Sequence, residues 1–110
     1  MRTTLTVRHM KNNKMVQDAF DGHVARLSNR LSHFNEESIF IHGNVDKNHH
    51  KEQYFCSLTV YLPSMTLHSR DSSFDLLRAV NAAFESIIRQ AEKFKAKLRR
   101  GHRGKSEEAT

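Results

Sequence analysis

A long amphipathic helix in the C-terminal third constrains the fold of this 110-residue chain more than any other feature. Between Leu77 and Leu98, apolar residues recur at alternating spacings of three and four, which is the period of one helix face. This stripe consists of Leu77, Val80, Phe84, Ile87, Ala91, Phe94 and Leu98. Because such a stripe must pack against another apolar surface, the rest of the chain has to supply a sheet or further helices.

This helix is predicted over about residues 73–100. Ser72, with Asp75 three residues later, resembles a capping box, and Gly101 is a plausible C-cap. A helix of this length measures about 42 Å at roughly 1.5 Å per residue, whereas a strand typically runs about 20 Å. We therefore expect the C-terminal end of the helix to overhang the body or to lie along its rim.

A second amphipathic helix is predicted nearer the N-terminus. Its apolar stripe consists of Val16, Phe20, Val24, Leu27 and Leu31. Asn12 and Asn13 precede it with side chains suited to helix capping, and the segment 33–37 is expected to be its exit.

Four short strands are predicted from alternating apolar residues. Leu5 and Val7 alternate with polar neighbours in the first strand. The inward positions are Ile39, Ile41 and Val45 in the second strand, Cys56, Leu58, Val60 and Leu62 in the third, and Met65, Leu67 and Ser69 in the fourth. A polar loop over 46–50 separates the second and third strands, and Pro63-Ser64 forms a tight turn before the fourth.

The predicted order is β-α-β-β-β-α, an α+β fold with a four-stranded, mainly antiparallel sheet. Both helices are expected on one face, because an antiparallel sheet can leave its other face in water. Residues 1–100 are predicted to form one domain, and residues 101–110 a flexible tail that carries both basic and acidic side chains.

The composition restricts the class of protein. A single cysteine, Cys56, cannot form an internal disulfide, which fits a reducing cytoplasm. No apolar run approaches the roughly 18 residues that a membrane span needs, and the N-terminus lacks the apolar region of a signal peptide. We therefore expect a cytoplasmic protein of one domain.

Positive charge is concentrated in residues 89–105. This segment carries eight basic residues against one acid, Glu92, so its net charge is +7, whereas that of the whole chain is +6. The basic residues are Arg89, Lys93, Lys95, Lys97, Arg99, Arg100, Arg103 and Lys105. Localised charge of this kind is typical of proteins that bind a polyphosphate.

Helical spacing sorts the basic residues into rows. They are Lys93, Lys97 and Arg100, extended by Arg89; Lys95 with Arg99; and, on the first helix, Arg26 with Arg30. If the helices pack side by side, these rows can line one groove suited to a phosphate backbone. The alternative is a solvated face that complements the helix dipole.

Aromatic side chains are predicted on the outer face of the sheet. Phe40, Phe55 and Tyr61 fall there together with His42 and His68. Such aromatics can stack unpaired bases, but we favour edge packing or a dimer contact.

No catalytic or metal-binding constellation is visible in the sequence. The adjacent His49 and His50 diverge, and no cysteine pair or spaced carboxylate completes a zinc site. Cys56 is predicted to be an inert buried thiol. Because there is no glycine-rich phosphate loop and no recognisable Ser/His/Asp arrangement, we expect no enzyme activity, no metal and no cofactor.

Several segments, in this order and spacing, resemble the ribosome hibernation-promoting factors, also described as ribosome-associated inhibitors or ribosomal subunit interface proteins. The resemblance runs over about residues 3–100. It rests on Leu5-Thr6-Val7-Arg8-His9, on His23-Val24-Ala25-Arg26-Leu27, and on the final-helix segments 75–81 and 93–99.

The resemblance implies a fold similar to double-stranded RNA-binding domains. It also implies binding in the channel of the small ribosomal subunit that messenger and transfer RNA use, where family members block translation and keep idle ribosomes intact during starvation. The positions that match the family's basic contacts are Arg8, Arg26, Arg89, Lys93, Lys95, Lys97 and Arg99. The chain resembles the short forms of the family, and its short tail favours ribosome pairing.

The resemblance thus implies a translation inhibitor that acts by occupancy in stressed or stationary-phase cells, and the localised charge agrees with such a role. Its expected partner is the small subunit, through rRNA and ribosomal proteins, with no membrane and no small-molecule substrate, and the protein is expected to be a monomer or weak dimer. One alternative is a general double-stranded RNA-binding module, which usually lacks the leading strand. Another is a structural protein that oligomerises through its sheet face.

Overall fold

The computed structural model describes residues 1–11, 14–32, 34–48 and 50–109, with side chains described as far as Lys97. The elements are β1 (Arg2–Arg8), α1 (Lys14–Arg30), a short 3-10 helix (Glu36–Ser38), β2 (Phe40–Asn48), β3 (Gln53–Leu62), β4 (Met65–Ser73) and α2 (Leu76–Ala109). The predicted α+β order β-α-β-β-β-α is confirmed.

The four strands form one sheet in the order β1-β2-β3-β4. β1 pairs parallel with β2, with Leu5 opposite Gly43, because α1 carries the chain back to the start of the sheet between them. The other two pairs are antiparallel, with Val45 opposite Cys56 and Val60 opposite Leu67. The sheet is therefore mainly antiparallel, as predicted.

Both helices pack on the same face of the sheet. On the α1 side, the Phe20 ring lies against Gly43 of β2, and on the α2 side the buried Ser69 hydroxyl of β4 donates to the Ala83 carbonyl oxygen over 2.9 Å. The rings of Phe20 and Phe84 meet edge to face with centroids 5.6 Å apart, which joins the helices over the sheet. The predicted inward positions of β2 and β3 are all buried.

Gly43 permits the close approach of α1 to the sheet. A Cβ atom built at this position would lie 2.5 Å from the Phe20 Cε2 atom and 3.4 Å from the Leu5 Cδ1 atom, both on buried or half-buried side chains. We therefore expect Gly43→Ala to lower the free energy of unfolding by about 1–3 kcal/mol through overpacking. Gly22→Ala is the control, because a Cβ there meets nothing within 4 Å and a helical alanine should stabilise by up to ~1 kcal/mol. Equal effects of the two variants in urea unfolding would contradict this account.

The start of α2 differs from the prediction. The capping residue is Asp75, whose Oδ1 atom accepts from the Leu77 amide over 3.0 Å, while the Ser73 hydroxyl accepts from the Asp75 amide. Ser72 cannot act as the cap because β4 continues to Ser73, which pairs with Tyr54 of β3.

The buried stripe of α2 begins one residue earlier than predicted. Leu76 is 8 % exposed, whereas Leu77 is 38 % exposed, so the placement of Leu77 in the core was wrong. Burial of Ala79 and Ala83 beside Val80 and Phe84 turns the helix face toward Leu76 and away from Leu77. The small side chains of these alanines let the helix lie close to the sheet. The predicted stripe was drawn mainly from the large apolar residues and left both alanines out.

Two further boundaries and the burial of Met65 differ from the prediction. β2 continues through the predicted 46–50 loop to Asn48, because its polar end residues pair with Gln53–Phe55 of β3 through the backbone. Met65 is 37 % exposed at the start of the edge strand, where nothing covers it fully. α2 continues through Gly101 and Gly104 to Ala109, since each glycine costs only about 1 kcal/mol within a helix. The predicted caps Asn12 and Asn13 lie outside the described residues, and the flexibility of 101–110 stays a prediction.

Candidate nucleic-acid interface

Three basic side chains follow one exposed line along α2. Arg89, Lys93 and Lys97 are four residues apart and all exposed, and we call them the α2 basic row. They lie on the side of the helix away from the buried Ile87 and Ala91. The structure therefore presents these predicted residues together, on a surface that a phosphate backbone can reach.

The other predicted cations of α2 have different settings. Lys95 is half-buried rather than exposed, because its position turns it toward the inner side of the helix. Arg99 and Arg100 lie within the helix, but their side chains are outside the described part of the structure. Their membership of the two predicted rows stays a prediction.

The helix that carries the row extends beyond the sheet, as its length predicted. At roughly 1.5 Å per residue, its 34 residues give about 51 Å, and the molecule measures 60 × 26 × 17 Å. The segment after α1 packs against the same helix, because Phe34 stacks on Phe94 with ring centroids 6.0 Å apart and planes 9° apart. The basic row lies where α2 still packs on the body, since Ile88 and Ala91 are buried and Lys93 and Lys97 lie beside Met65 and Leu67 of β4.

The two arginines of α1 lie at the junction with α2 and are paired with acids of that helix. The Arg26 Nη2 atom lies 3.2 Å from the Glu85 Oε1 atom, and the Arg30 Nη1 atom lies 3.1 Å from the Glu92 Oε1 atom. The earlier arginine pairs with the earlier acid and the later arginine with the later acid, so the two helices run parallel. The helices pack side by side as the groove hypothesis required, but carboxylates share the groove with the arginines.

Sequence reasoning missed the role of Glu85 and Glu92. Their separation of seven residues, two helical turns, places them on one side of α2, but only the packing of the helices shows that Arg26 and Arg30 face them. Both pairs are about half exposed, so each contributes at most about 1 kcal/mol to stability. Their main effect is to reduce the positive charge that the junction offers to a polyanion.

This pairing predicts that removing the carboxylates will strengthen RNA binding. In the variant Glu85→Gln with Glu92→Gln, both arginines are released toward phosphates, and we expect a several-fold gain in affinity for RNA in a filter-binding or fluorescence assay. The control is Asp18→Asn with Glu52→Gln, which removes two negative charges from exposed positions elsewhere. An equal gain in the control would mean that only the net charge matters.

Arg8 does not join the other predicted contacts. Arg8 is exposed at the end of β1. Across the sheet it is in register with Asp46, Phe55 and Ser72, so it lies at the end of the sheet where β4 finishes. The α2 basic row lies near the other end of β4, beside Met65. The neighbouring His9 Nδ1 atom lies 2.6 Å from the Asp46 Oδ1 atom. This hydrogen bond, helped by the backbone N–H of Lys47 and the nearby charges of His9 and Arg8, lowers the pKa of Asp46.

The outer face of the sheet carries the predicted aromatics. Phe40 and Tyr61 have ring centroids 5.6 Å apart, and the Arg70 guanidinium lies 5.2 Å from the Phe55 centroid. Beside them, the Nδ1 atoms of His42 and His68 lie within hydrogen-bond distance of threonine hydroxyls. The placement of this group is confirmed, and its use as an edge or dimer contact stays a prediction.

His23 lies between the helices and is sensitive to pH. Its ring stacks on Phe84 with centroids 4.9 Å apart, and partial burial, reinforced by the charge of Arg26, lowers its pKa below 6.5. The unfolded chain therefore binds this proton more readily, so the stability that His23 contributes is complete above about pH 6.5 and is lost as the pH falls below that value. In thermal unfolding between pH 7.5 and 5.5, we expect His23→Asn to lose less stability than the unmodified chain. A larger loss in the variant would contradict the assignment.

The thiol of Cys56 is shielded from solvent. Cys56 is fully buried, and burial, with the charge of Asp71 second, raises its pKa to about 12, so the thiol stays protonated. Among the residues that the structure describes, no group of three or more His, Cys, Asp or Glu side chains is placed to hold a metal ion. No helix in the described part of the chain is long and apolar enough to cross a membrane.

Comparison with solved structures identifies the same fold elsewhere. The chain is similar to the N-terminal domain of Protein Y from Thermus thermophilus, with 17% identity and a TM-score of 0.72 over 86% of this chain and 99% of that one. It is also similar to a ribosomal subunit interface protein from Coxiella burnetii, with 19% identity and a TM-score of 0.71 over 87% and 99% of the two chains. No curated protein matches the chain.

Comparison with family sequence models extends the likeness from the fold to the sequence. The model described as Sigma 54 modulation protein / S30EA ribosomal protein matches residues 4–99, which takes in α1, β2, β3 and β4 whole and most of β1 and α2. The family resemblance seen in the sequence is thereby confirmed. From this match over most of its length, the chain belongs to the Sigma 54 modulation protein / S30EA ribosomal protein family.

Proposed function

We propose that this protein binds the small ribosomal subunit in the channel used by messenger and transfer RNA, and that it inhibits translation by occupying that channel. The observation that carries the proposal is the α2 basic row, three exposed cations in one line on a long helix, in a chain of a ribosomal protein family. Such occupancy would hold ribosomes idle during stress or stationary phase. Its setting would be the cytoplasm, where ribosomes work.

The mechanism needs no covalent chemistry. Cations that neutralise rRNA phosphates release condensed counterions, which supplies affinity without sequence specificity. The overhanging helix would enter the groove between RNA segments, while the sheet and α1 fill the space that a transfer RNA anticodon stem would otherwise use. Inhibition then follows from steric exclusion, and its strength depends on the salt concentration.

The two alternative functions are less well supported. A general double-stranded RNA-binding module does not account for β1, which extends the sheet by a parallel pairing with β2. An oligomer formed through the sheet face would need an extensive apolar patch. The outer face instead alternates aromatic residues with threonine, histidine and arginine, and only Tyr61 among its predicted aromatics is largely exposed. We therefore favour a monomer or weak dimer bound to rRNA and ribosomal proteins.

The direct test is sedimentation of the protein with purified small subunits in near-physiological salt. We expect the protein to pellet with the subunit, to be displaced by transfer RNA bound with messenger RNA, and to inhibit translation in a reconstituted system. The large subunit alone is the control. Protein that stays in the supernatant, or that binds without inhibiting translation or competing with transfer RNA, would overturn the proposal.

A further inference from the structure

A cleft of about 520 Å³ lies between the edge strand β4 and the C-terminal half of α2. Its apolar lining comes from Met65, Leu67 and Phe94, and its charged rim comes from Lys93 and Lys97 of the α2 basic row. A volume of this size lies within the range of small-ligand sites. The cleft therefore combines an apolar floor with two cations at its entrance.

The backbone of β4 adds hydrogen-bonding groups to this cleft. The Gln90 carboxamide donates to the His68 carbonyl oxygen over 2.8 Å, and the His68 amide approaches the Gln90 Oε1 atom at 3.4 Å. The polar backbone groups of His68 therefore point out of the sheet edge. In an antiparallel pair the direction of these groups alternates from one residue to the next. Thr66 lies two residues before His68, so its N–H and C=O groups also point outward, into the cleft that Thr66 lines.

The apolar floor is packed against the body of the protein. Leu67 is only 3 % exposed, and the Phe94 ring is held by its stacking partner Phe34. Met65 is 37 % exposed at the mouth and can adjust its unbranched side chain to a ligand. The packed floor offers an apolar contact, and the backbone of Thr66 at the sheet edge offers one donor and one acceptor.

We propose that this cleft binds one unpaired nucleotide of an RNA strand. The base would lie on Phe94 and Met65, its polar edge would meet the Thr66 backbone, and the adjoining phosphates would contact Lys93 and Lys97. A phosphate alone would leave the apolar floor uncovered, and an apolar peptide would leave both lysines without a partner. The inference rests on the proposed function, because it adds a base contact to the phosphate contacts of the same helix.

The test uses the methionine methyl groups as reporters in ¹³C-edited NMR spectra of the whole chain. With a single-stranded oligoribonucleotide we expect the Met65 methyl signal to shift through the ring current of the base, and the Met15 signal, on the exposed face of α1, to stay in place. A duplex of the same length, whose bases are paired, should leave Met65 unchanged. Inorganic phosphate should also leave it unchanged, which separates base binding from anion binding.

Substitution provides the second readout. Met65→Ala should weaken single-stranded RNA binding about fivefold without changing its salt dependence, because the lost contact is apolar. Met15→Ala is the matched control, since Met15 is 55 % exposed on α1, and should have no effect.

Two results would overturn the inference. One is an unshifted Met65 signal together with unchanged affinity of Met65→Ala, while the Lys93 and Lys97 substitutions still weaken binding to the small subunit. In that case the proposed function stands and the cleft does not take a base. The other is a Met65 shift with a glutamate-rich peptide and none with single-stranded RNA, which would assign the cleft to a protein segment pairing with β4.

Discussion

Replacing Arg89, Lys93 and Lys97 together by alanine should weaken RNA and small-subunit binding roughly 100-fold, at about 1 kcal/mol for each lost phosphate contact. The slope of log affinity against log salt should flatten by roughly two units, because each phosphate neutralised on irregular RNA contributes about −0.7. Stability should change little, since the three side chains are exposed and such substitutions cost within ~0.5 kcal/mol each. Equilibrium binding titrations at several salt concentrations measure both quantities.

A charge-matched variant separates position from net charge. Lys11, Lys14 and Lys51 are also exposed, and they lie at the opposite end of the sheet from the α2 basic row. Replacing these three by alanine removes the same charge and should have a much smaller effect on affinity and slope. If both triple variants lose affinity equally, the α2 basic row is not the binding surface, and the central argument for the function fails.

Truncation of Phe84 should have the largest effect on stability. Phe84 is fully buried, meets the Phe20 ring edge to face and stacks with His23. Phe84→Ala removes the contact that joins both helices above the sheet, and we expect a loss of about 3–5 kcal/mol, a large part of the roughly 5–15 kcal/mol that stabilises a typical domain. Urea unfolding followed by circular dichroism measures this loss.

Phe74 provides the matched control for the same substitution. It is 72 % exposed, and the Arg78 guanidinium lies 5.6 Å from its ring centroid. Phe74→Ala should therefore cost less than about 1 kcal/mol, the range of an exposed cation–π contact. A loss for Phe84→Ala no greater than that for Phe74→Ala would show that the helices do not depend on this aromatic contact.

The proposed RNA-binding surface was only partly accessible to sequence reasoning. The density of cations in 89–105 indicated which helix to consider, and helical spacing placed Lys93 and Lys97 on one line. Spacing could not show that Arg26 and Arg30 are each paired with a carboxylate of α2, because that depends on how two helices distant in sequence are aligned. It also could not show that Arg8 lies at the other end of the sheet, because the strand register sets that distance.

The amino-acid sequence by itself determined the order of the elements and the core of the two central strands, β2 and β3. These features follow from local periodicities, two residues for a strand and 3.6 for a helix, which need no knowledge of the partner surface. The segment-by-segment likeness likewise sufficed to indicate the family.

Where a residue could belong to either of two neighbouring elements or faces, only the tertiary structure decided between them. Pairing with β3 keeps Ser72 in β4 and leaves the cap of α2 to Asp75, and the close approach of two alanines turns Leu76 rather than Leu77 toward the sheet. The cleft beside β4 also arises only after folding, because it joins the edge of one strand to a helix more than 20 residues further along the chain. Such features depend on contacts between segments distant in sequence, and no local pattern of residues encodes them.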